Sequence, residues 1–238
     1  MKIVLFGYGK MGKEIEKIAL ERGHEILLKI NSLESKVDFP KNISEADIAI
    51  EFSTPESAVE NIMTCFDSNI PVVVGTTGWL QKMPEIKKVC TEKNQGLFYA
   101  SNFSIGVNLF FQLNTYLAKL MNPYKEYDVT MEEIHHIHKK DAPSGTAITL
   151  AEEIIANNSS KKNWTNTSSN QPEKLSIVSK RIDEVPGTHT ILYQSEVDAI
   201  EIKHIANNRK GFAFGAVLAA EWMINKKGIF GMNDLLKK

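Results

Sequence analysis

The feature that most constrains this chain lies at its start. Ile3-Val4-Leu5-Phe6 is an unbroken apolar run closed by Gly7-Tyr8-Gly9-Lys10-Met11-Gly12. Met11, Ile15, Ile18 and Ala19 then recur at helical spacing, with Lys13, Glu14, Lys17 and Glu21 on the opposite face. A short continuous apolar run is a strand buried on both faces. The 3.6-residue stripe predicts an amphipathic helix, with Gly23 as its stop. Strand, glycine turn and helix together form a first βα unit, the context in which G-x-G-x-x-G means dinucleotide binding. Gly7 allows the tight turn, Gly9 lets the backbone approach a pyrophosphate, and Gly12 lets the helix pack close to the sheet. The helix N-terminus adds positive potential. The expected cofactor contacts here are Gly7, Tyr8, Gly9, Lys10, Met11 and Gly12.

The same rhythm continues. Ile26–Ile30, Asp47–Phe52 and Pro71–Val74 read as further strands, and Pro55 opens a helix that runs to about Phe66. Strands separated by helices imply a parallel sheet with right-handed crossovers. After about residue 105 the pattern changes: one long helix, then strand-like stretches at Asp128–His138, Ser176–Ile182, Thr188–Val197 and Ala199–His204. Among these lies one helix, marked by Ala147, Leu150, Ala151, Ile154 and Ile155. The expected fold class is an α/β Rossmann-type parallel-sheet domain plus an α+β domain with a mostly antiparallel sheet. The first domain takes 1–105 with 206–238, and the second takes 106–205. Asn157–Gln171, rich in Ser, Asn, Thr and Lys, is expected to be an exposed, mobile loop. The helical tail (Phe214, Val217, Leu218, Glu221, Trp222) is expected to pack back on the first domain.

Composition narrows the function classes. The 238 residues carry 28 basic and 29 acidic side chains, for a net charge of -1. No global positive field exists to hold nucleic acid or an anionic membrane, so any anion site is local. No apolar run approaches the ~20 residues of a membrane span. The N-terminal apolar run is short and lacks a small-residue cleavage site, so a cytoplasmic protein is expected. Cys65 and Cys90 are too few for a disulfide framework and read as reduced thiols.

Three later segments carry chemistry. At the end of the second strand, where an acidic residue usually grips the adenosine ribose, the chain reads Lys29-Ile30-Asn31-Ser32, with Glu34 the nearest carboxylate. Asn31 can bond a 2′-hydroxyl and Lys29 can tolerate a 2′-phosphate, so NADH and NADPH both remain open. Gly75-Thr76-Thr77-Gly78-Trp79 and Ala100-Ser101-Asn102-Phe103-Ser104 each follow an apolar run. Each is a structural turn or a ligand-lining loop at the carboxyl edge of the sheet. The densest run is Glu133-Ile134-His135-His136-Ile137-His138-Lys139-Lys140-Asp141-Ala142-Pro143-Ser144-Gly145-Thr146-Ala147, which holds half of the chain's 6 histidines. Zinc is disfavoured there, since adjacent histidines on a strand face opposite ways, no cysteine is near and a lysine repels the ion. An acid/base and anion-binding cluster fits better than zinc or a merely solvated charge run. Ser144-Gly145-Thr146 opens a helix whose free N–H groups can cradle a carboxylate. Lys139 adds a positive charge and a proton, and histidine titrates near neutrality.

These motifs, in this order, resemble those of the dihydrodipicolinate reductase family over essentially the whole chain. The tail segment His204-Ile205-Ala206-Asn207-Asn208-Arg209, with Gly215-Ala216-Val217, resembles it too. The resemblance implies NADH- or NADPH-dependent reduction of a cyclic dicarboxylate, 4-hydroxy-tetrahydrodipicolinate, to tetrahydrodipicolinate with loss of water, in diaminopimelate and lysine biosynthesis. It implies a homotetramer as well. His135 matches the family's proton donor/acceptor, Lys139 its proton donor and His136 a substrate ligand. Gly145 and Thr146, beside Ser144, match the pair that holds a substrate carboxylate. Gly7–Gly12, Gly75–Thr77 and Ala100–Phe103 match the cofactor contacts, and no metal is implied. Asn31-Ser32 replaces the usual acidic residue, Glu51 stands where aspartate is usual, and Asp183 stands where many relatives have glycine. Two other readings compete. A non-catalytic NAD(P)-binding redox sensor has no use for an acid beside a carboxylate cradle. A semialdehyde dehydrogenase needs a nucleophilic thiol, and both cysteines fall in helical segments.

Overall fold

The computed structural model describes residues 1–31, 43–208 and 210–237. Ser32, Glu34 and Arg209 lie outside them. In chain order the first elements are β1 (Lys2–Phe6), α1 (Lys10–Glu21), β2 (Glu25–Ile30), β3 (Ile48–Glu51), α2 (Pro55–Asp67), β4 (Val72–Val74), α3 (Met83–Glu92), β5 (Gly96–Tyr99) and α4 (Ile105–Met121). There follow β6 (Asp128–His135), α5 (Gly145–Asn157), β7 (Asn163–Thr165), β8 (Lys174–Arg181), β9 (Gly187–Gln194), β10 (Ala199–Ala206), α6 (Lys210–Met223), β11 (Gly228–Phe230) and α7 (Met232–Leu236). The chain divides into two units, Met1–Ile105 with Lys210–Lys238, and Gly106–Arg209. Sequence places the second crossing at 206, but β10 runs on through Ala206 paired to Gly187, which keeps those residues with the second unit.

In the first unit, six strands pair in the order β11-β5-β4-β3-β1-β2, every pairing parallel. Alternate residues serve opposite faces, which is why the strands read as continuous apolar runs. Ile3, Leu5, Ile48, Ile50, Val73 and Phe98 pack with α1 and α6. Val4, Phe6, Ala49, Val72, Val74 and Leu97 pack with Ala58, Ile62, Cys65 and Phe66 of α2 and Ile86 of α3. The tail helix α6 does return here. Glu221 accepts from Arg22 Nε and Nη2, both at 2.8 Å, and lies 2.7 Å from His24 Nε2. The sixth strand, β11, went unread in the sequence because it is three residues long.

In the second unit the order is β10-β9-β6-β8-β7. β9 is antiparallel to β10 and β6, but β8 is parallel to β6 and to β7. The sheet is therefore mixed: its two longest pairings are antiparallel, as expected, and two shorter ones are parallel. The cause is α5: a helix between β6 and the next strands makes a crossover, which returns the chain in the same direction. One face, with Val129, Met131, Leu175, Ile177, Ile191 and Tyr193, packs under α4 and α5. The segment expected to be a mobile loop differs as well. It holds β7, a half-buried Trp164 packed against this core, and a buried Lys161 that donates to Asp128 Oδ1 (2.5 Å) and to the Pro172 and Lys174 carbonyls (2.9 and 3.0 Å).

Candidate active site

In the first unit, the sequence-predicted cofactor residues cluster at the carboxyl ends of β1, β4 and β5. Gly7 has φ +86°, and a Cβ there would lie 2.1 Å from the Phe52 carbonyl oxygen just past β3. A Cβ on Gly12 would lie 2.2 Å from the Gly7 carbonyl oxygen. Both glycines are therefore required by backbone approach, whereas a Cβ on Gly9 meets nothing within 4 Å among the described residues. Gly9 begins α1 without a side-chain cap, so no cap side chain claims the helix-start N–H groups. That is the arrangement a pyrophosphate needs, and the residues present fit a dinucleotide.

The flanking groups divide. Tyr8 donates to Glu16, and Lys29 Nζ lies 2.5 Å from Glu16 Oε1 and 4.8 Å from the Tyr8 ring centre. Lys10 and Asn31 are exposed, and Met11 is half-buried. Thr76 faces inward: its Oγ1 accepts from Ser53 N (2.8 Å) and its carbonyl from Trp79 Nε1 (2.7 Å). Gly75 and Asn102 are partly open, while Thr77 and Ser101 are exposed. Ala100 is buried, and the Phe103 ring is buried against Phe52 and Phe98. The Phe103 side chain is thus core rather than ligand-lining. Its apolar bulk decided that, and the motif alone did not reveal it. Beneath these turns lies a group the sequence reading left without a role. Buried Glu51 accepts from Ser53 N (3.1 Å), Ser53 Oγ and Asn61 Nδ2 (3.3 Å), and burial raises its pKa.

In the second unit, His135 closes β6 on the helix-covered face, and the chain then turns through His136, His138 and Lys139 into α5. His135 is buried, His136 is half-buried and His138 is exposed 3.3 Å from Glu184 Oε1. Lys139 Nζ donates to both Asp141 carboxylate oxygens at 2.8 Å. Arg181, the cross-strand neighbour of His135, donates from Nε to the Lys139 carbonyl (3.3 Å) and from Nη2 to the Asp141 carbonyl (2.5 Å). It straps the Lys139 segment to β8.

Ser144 differs from its expected role as a ligand group. Its N–H donates to Glu133 Oε1 and Oε2 (3.0 and 3.2 Å), and its Oγ accepts from Ala147 N (3.2 Å) and lies 3.3 Å from His189 Nε2. Buried Ser144 is the helix cap. The N–H groups left for a ligand are those of Gly145 and Thr146. Burial would raise the Glu133 pKa, but hydrogen bonds from Ser144 and Ser179 and the His135 charge bring it below the usual range. Burial lowers the pKa of His135, against the pull of Glu133. Burial, then the neighbouring His135, lowers that of His189 to about 4. Glu133, His135 and His189 hold potential ligand atoms within 4.8 Å of one another. The Glu133 carboxylate, however, is already engaged by Ser144 and by Arg181 Nη2 at 3.5 Å, so the set reads as a hydrogen-bonded network. Cys65 and Cys90 are buried free thiols, and burial pushes both pKa values up. Neither is an activated nucleophile.

Two family models match this chain: "Dihydrodipicolinate reductase, N-terminus" over residues 1–103, and "Dihydrodipicolinate reductase, C-terminus" over residues 106–236. The chain belongs to the dihydrodipicolinate reductase family. It is 49% identical over 236 residues to the 4-hydroxy-tetrahydrodipicolinate reductase of Christiangramia forsetii, covering 99% of this chain and 98% of that one. It is 32% identical over 228 residues to the enzyme of that name from Neisseria gonorrhoeae, covering 93% and 83%. A dipicolinate-bound dihydrodipicolinate reductase from a Paenisporosarcina species shares the fold, with TM-score 0.77, 24% identity and coverage of 99% and 100%. An aspartate semialdehyde dehydrogenase from Vibrio cholerae matches at TM-score 0.56 and 12% identity, covering 94% and 98%. Dihydrodipicolinate reductases are NAD(P)H-dependent oxidoreductases whose N-terminal domain binds the dinucleotide. That membership does not favour the redox-sensor reading.

Proposed function

We propose that this chain reduces 4-hydroxy-tetrahydrodipicolinate with NADH or NADPH, and that Lys139 and His135 handle the proton. The observation that carries this reading is one end of β6. An ammonium held by Asp141 on a segment strapped by Arg181, an imidazole, and the N–H groups of Gly145 and Thr146, unbonded among the described residues, all belong to one short segment there. Cation, proton carrier and helix N-terminus are the groups a dicarboxylate calls for. The dipicolinate bound by the Paenisporosarcina relative is a ligand of that class.

The helix start after Gly7, with Gly75–Thr77 and the backbone of Ala100–Asn102, holds the dinucleotide, whose reduced nicotinamide supplies hydride when bound. Gly145 and Thr146 donate their N–H groups to one substrate carboxylate, and His136 orients the other. The 4-hydroxyl is lost as water, and Lys139 Nζ delivers the proton that quenches charge on the carbon beside the one that receives hydride, with His135 assisting it. In this reading Asp141 keeps the ammonium from wandering until the substrate carboxylates compete for it. We further propose a homotetramer acting in the cytoplasm. The exposed Ile200 and Ile205 of β10 support assembly through the second unit.

The test follows NAD(P)H absorbance with freshly generated substrate, once with each cofactor. Substrate-dependent oxidation is expected with at least one. None with either overturns the reading.

A further inference from the structure

Glu133 is fully buried on the helix-covered face of β6, two residues before His135. A carboxylate in such a place is costly unless charges and donors surround it. Its compensation comes from the segment proposed to do the chemistry. The Ser144 N–H reaches both oxygens, Arg181 lies 3.5 Å from Oε1, and His135 Nδ1 lies 3.3 Å from Oε2. That last contact is off the line of a good hydrogen bond, and buried Nδ1 has no other acceptor among the described residues. Active-site hydrogen bonds of this kind often tighten only when ligand binds.

We propose that Glu133 is a positioning residue: it accepts the Nδ1–H of His135, so that Nε2 is the nitrogen presented for proton transfer, and through the Ser144 N–H it fixes the start of α5 in the same register. The inference rests on the reading of His135 given above. Neighbouring geometry agrees with it. A carboxylate on one imidazole nitrogen sets the tautomer and exposes the other. On the Nε2 side the chain has Gly187, where a Cβ would come within 3.2 Å of Nε2, so glycine spares that nitrogen the contact a side chain would make. The groups facing His135 are Glu133 on its own strand, Arg181 on β8, His189 on β9, and Lys139 and Asp141 from the segment before α5. Glu133 and Asp141 favour the imidazolium, and Lys139 and Arg181 oppose it.

Two measurements test this. In the wild-type protein, the nitrogen spectrum of His135 near pH 8, identified by its loss in His135→Gln, is expected to show the Nδ1-protonated tautomer. In Glu133→Gln, kcat is expected to fall ~10- to 100-fold with NAD(P)H affinity little changed. The activity limb that reports His135 moves to lower pH, and Glu133→Asp recovers part of the loss. An Nε2-protonated His135 in the wild type overturns the inference, as does a Glu133→Gln enzyme with unchanged kcat and pH profile. The wild-type spectrum decides the matter if Glu133→Gln fails to fold. It is also independent of turnover, so an inactive wild type sinks the proposed reaction without touching this result.

Discussion

At the scale of single residues, burial sets the charge of groups around the proposed site. His189 is the clearest case. It is buried, and its pKa stands at about 4 rather than 6.5. The unfolded chain takes up that proton first as the pH falls, so this group's stability is complete above pH 6.5 and is lost on the way down to 4. The shift corresponds to about 3 kcal/mol. Denaturation at about pH 7 and pH 4.5 is expected to show a loss of that order, which His189→Asn shrinks; an unchanged pH dependence in the variant contradicts this. The glycine turn separates two roles by substitution. Gly12→Ala drives a methyl into the Gly7 carbonyl and should destabilise by ~1–3 kcal/mol, whereas Gly9→Ala meets open space. Melting temperature should drop only for the first, and NAD(P)H affinity for both; a Gly9→Ala protein that binds cofactor normally argues against the assigned approach. Glu133 and His135 were legible as an i, i+2 pair on one strand face. His189 was not: only the β6–β9 register, which sequence does not state, sets it opposite Glu133.

Among the elements, strand identity was easier to read than strand direction. The strand-like stretches read in the sequence fall near the observed bounds of β6, β8, β9 and β10. The parallel β6–β8 pairing follows from the helix between them and was recoverable from the same string. The segment 157–171 misled because its composition is that of a loop, while Trp164 and Lys161 anchor it. Lys161→Met removes three charge-assisted bonds to Asp128, Pro172 and Lys174, and a loss of about 2–4 kcal/mol is expected by chemical denaturation; a loss below half a kcal/mol contradicts the anchoring role. Limited proteolysis should cut first between Asn166 and Pro172, where the chain is mostly exposed, and spare Asn163–Thr165. A first cut within β7 refutes its place in the sheet.

For the whole molecule, the parallel sheet was legible almost to its edges, since burial on both faces writes itself as continuous apolar runs. Its last strand was hidden by brevity, and its return helix was visible as an apolar stripe. Each unit contributes a different part of the proposed reaction: a glycine turn at a helix N-terminus in the first, and a proton carrier beside a helix N-terminus in the second. The account stands or falls on Lys139. Steady-state kinetics of Lys139→Met with freshly generated substrate, paired with a NAD(P)H titration of the same protein, tests it most directly. A turnover loss of ~10²-fold or more, with cofactor affinity within a few-fold of wild type, is the predicted result. Equal losses in turnover and cofactor affinity, or full turnover without the ammonium, would contradict it.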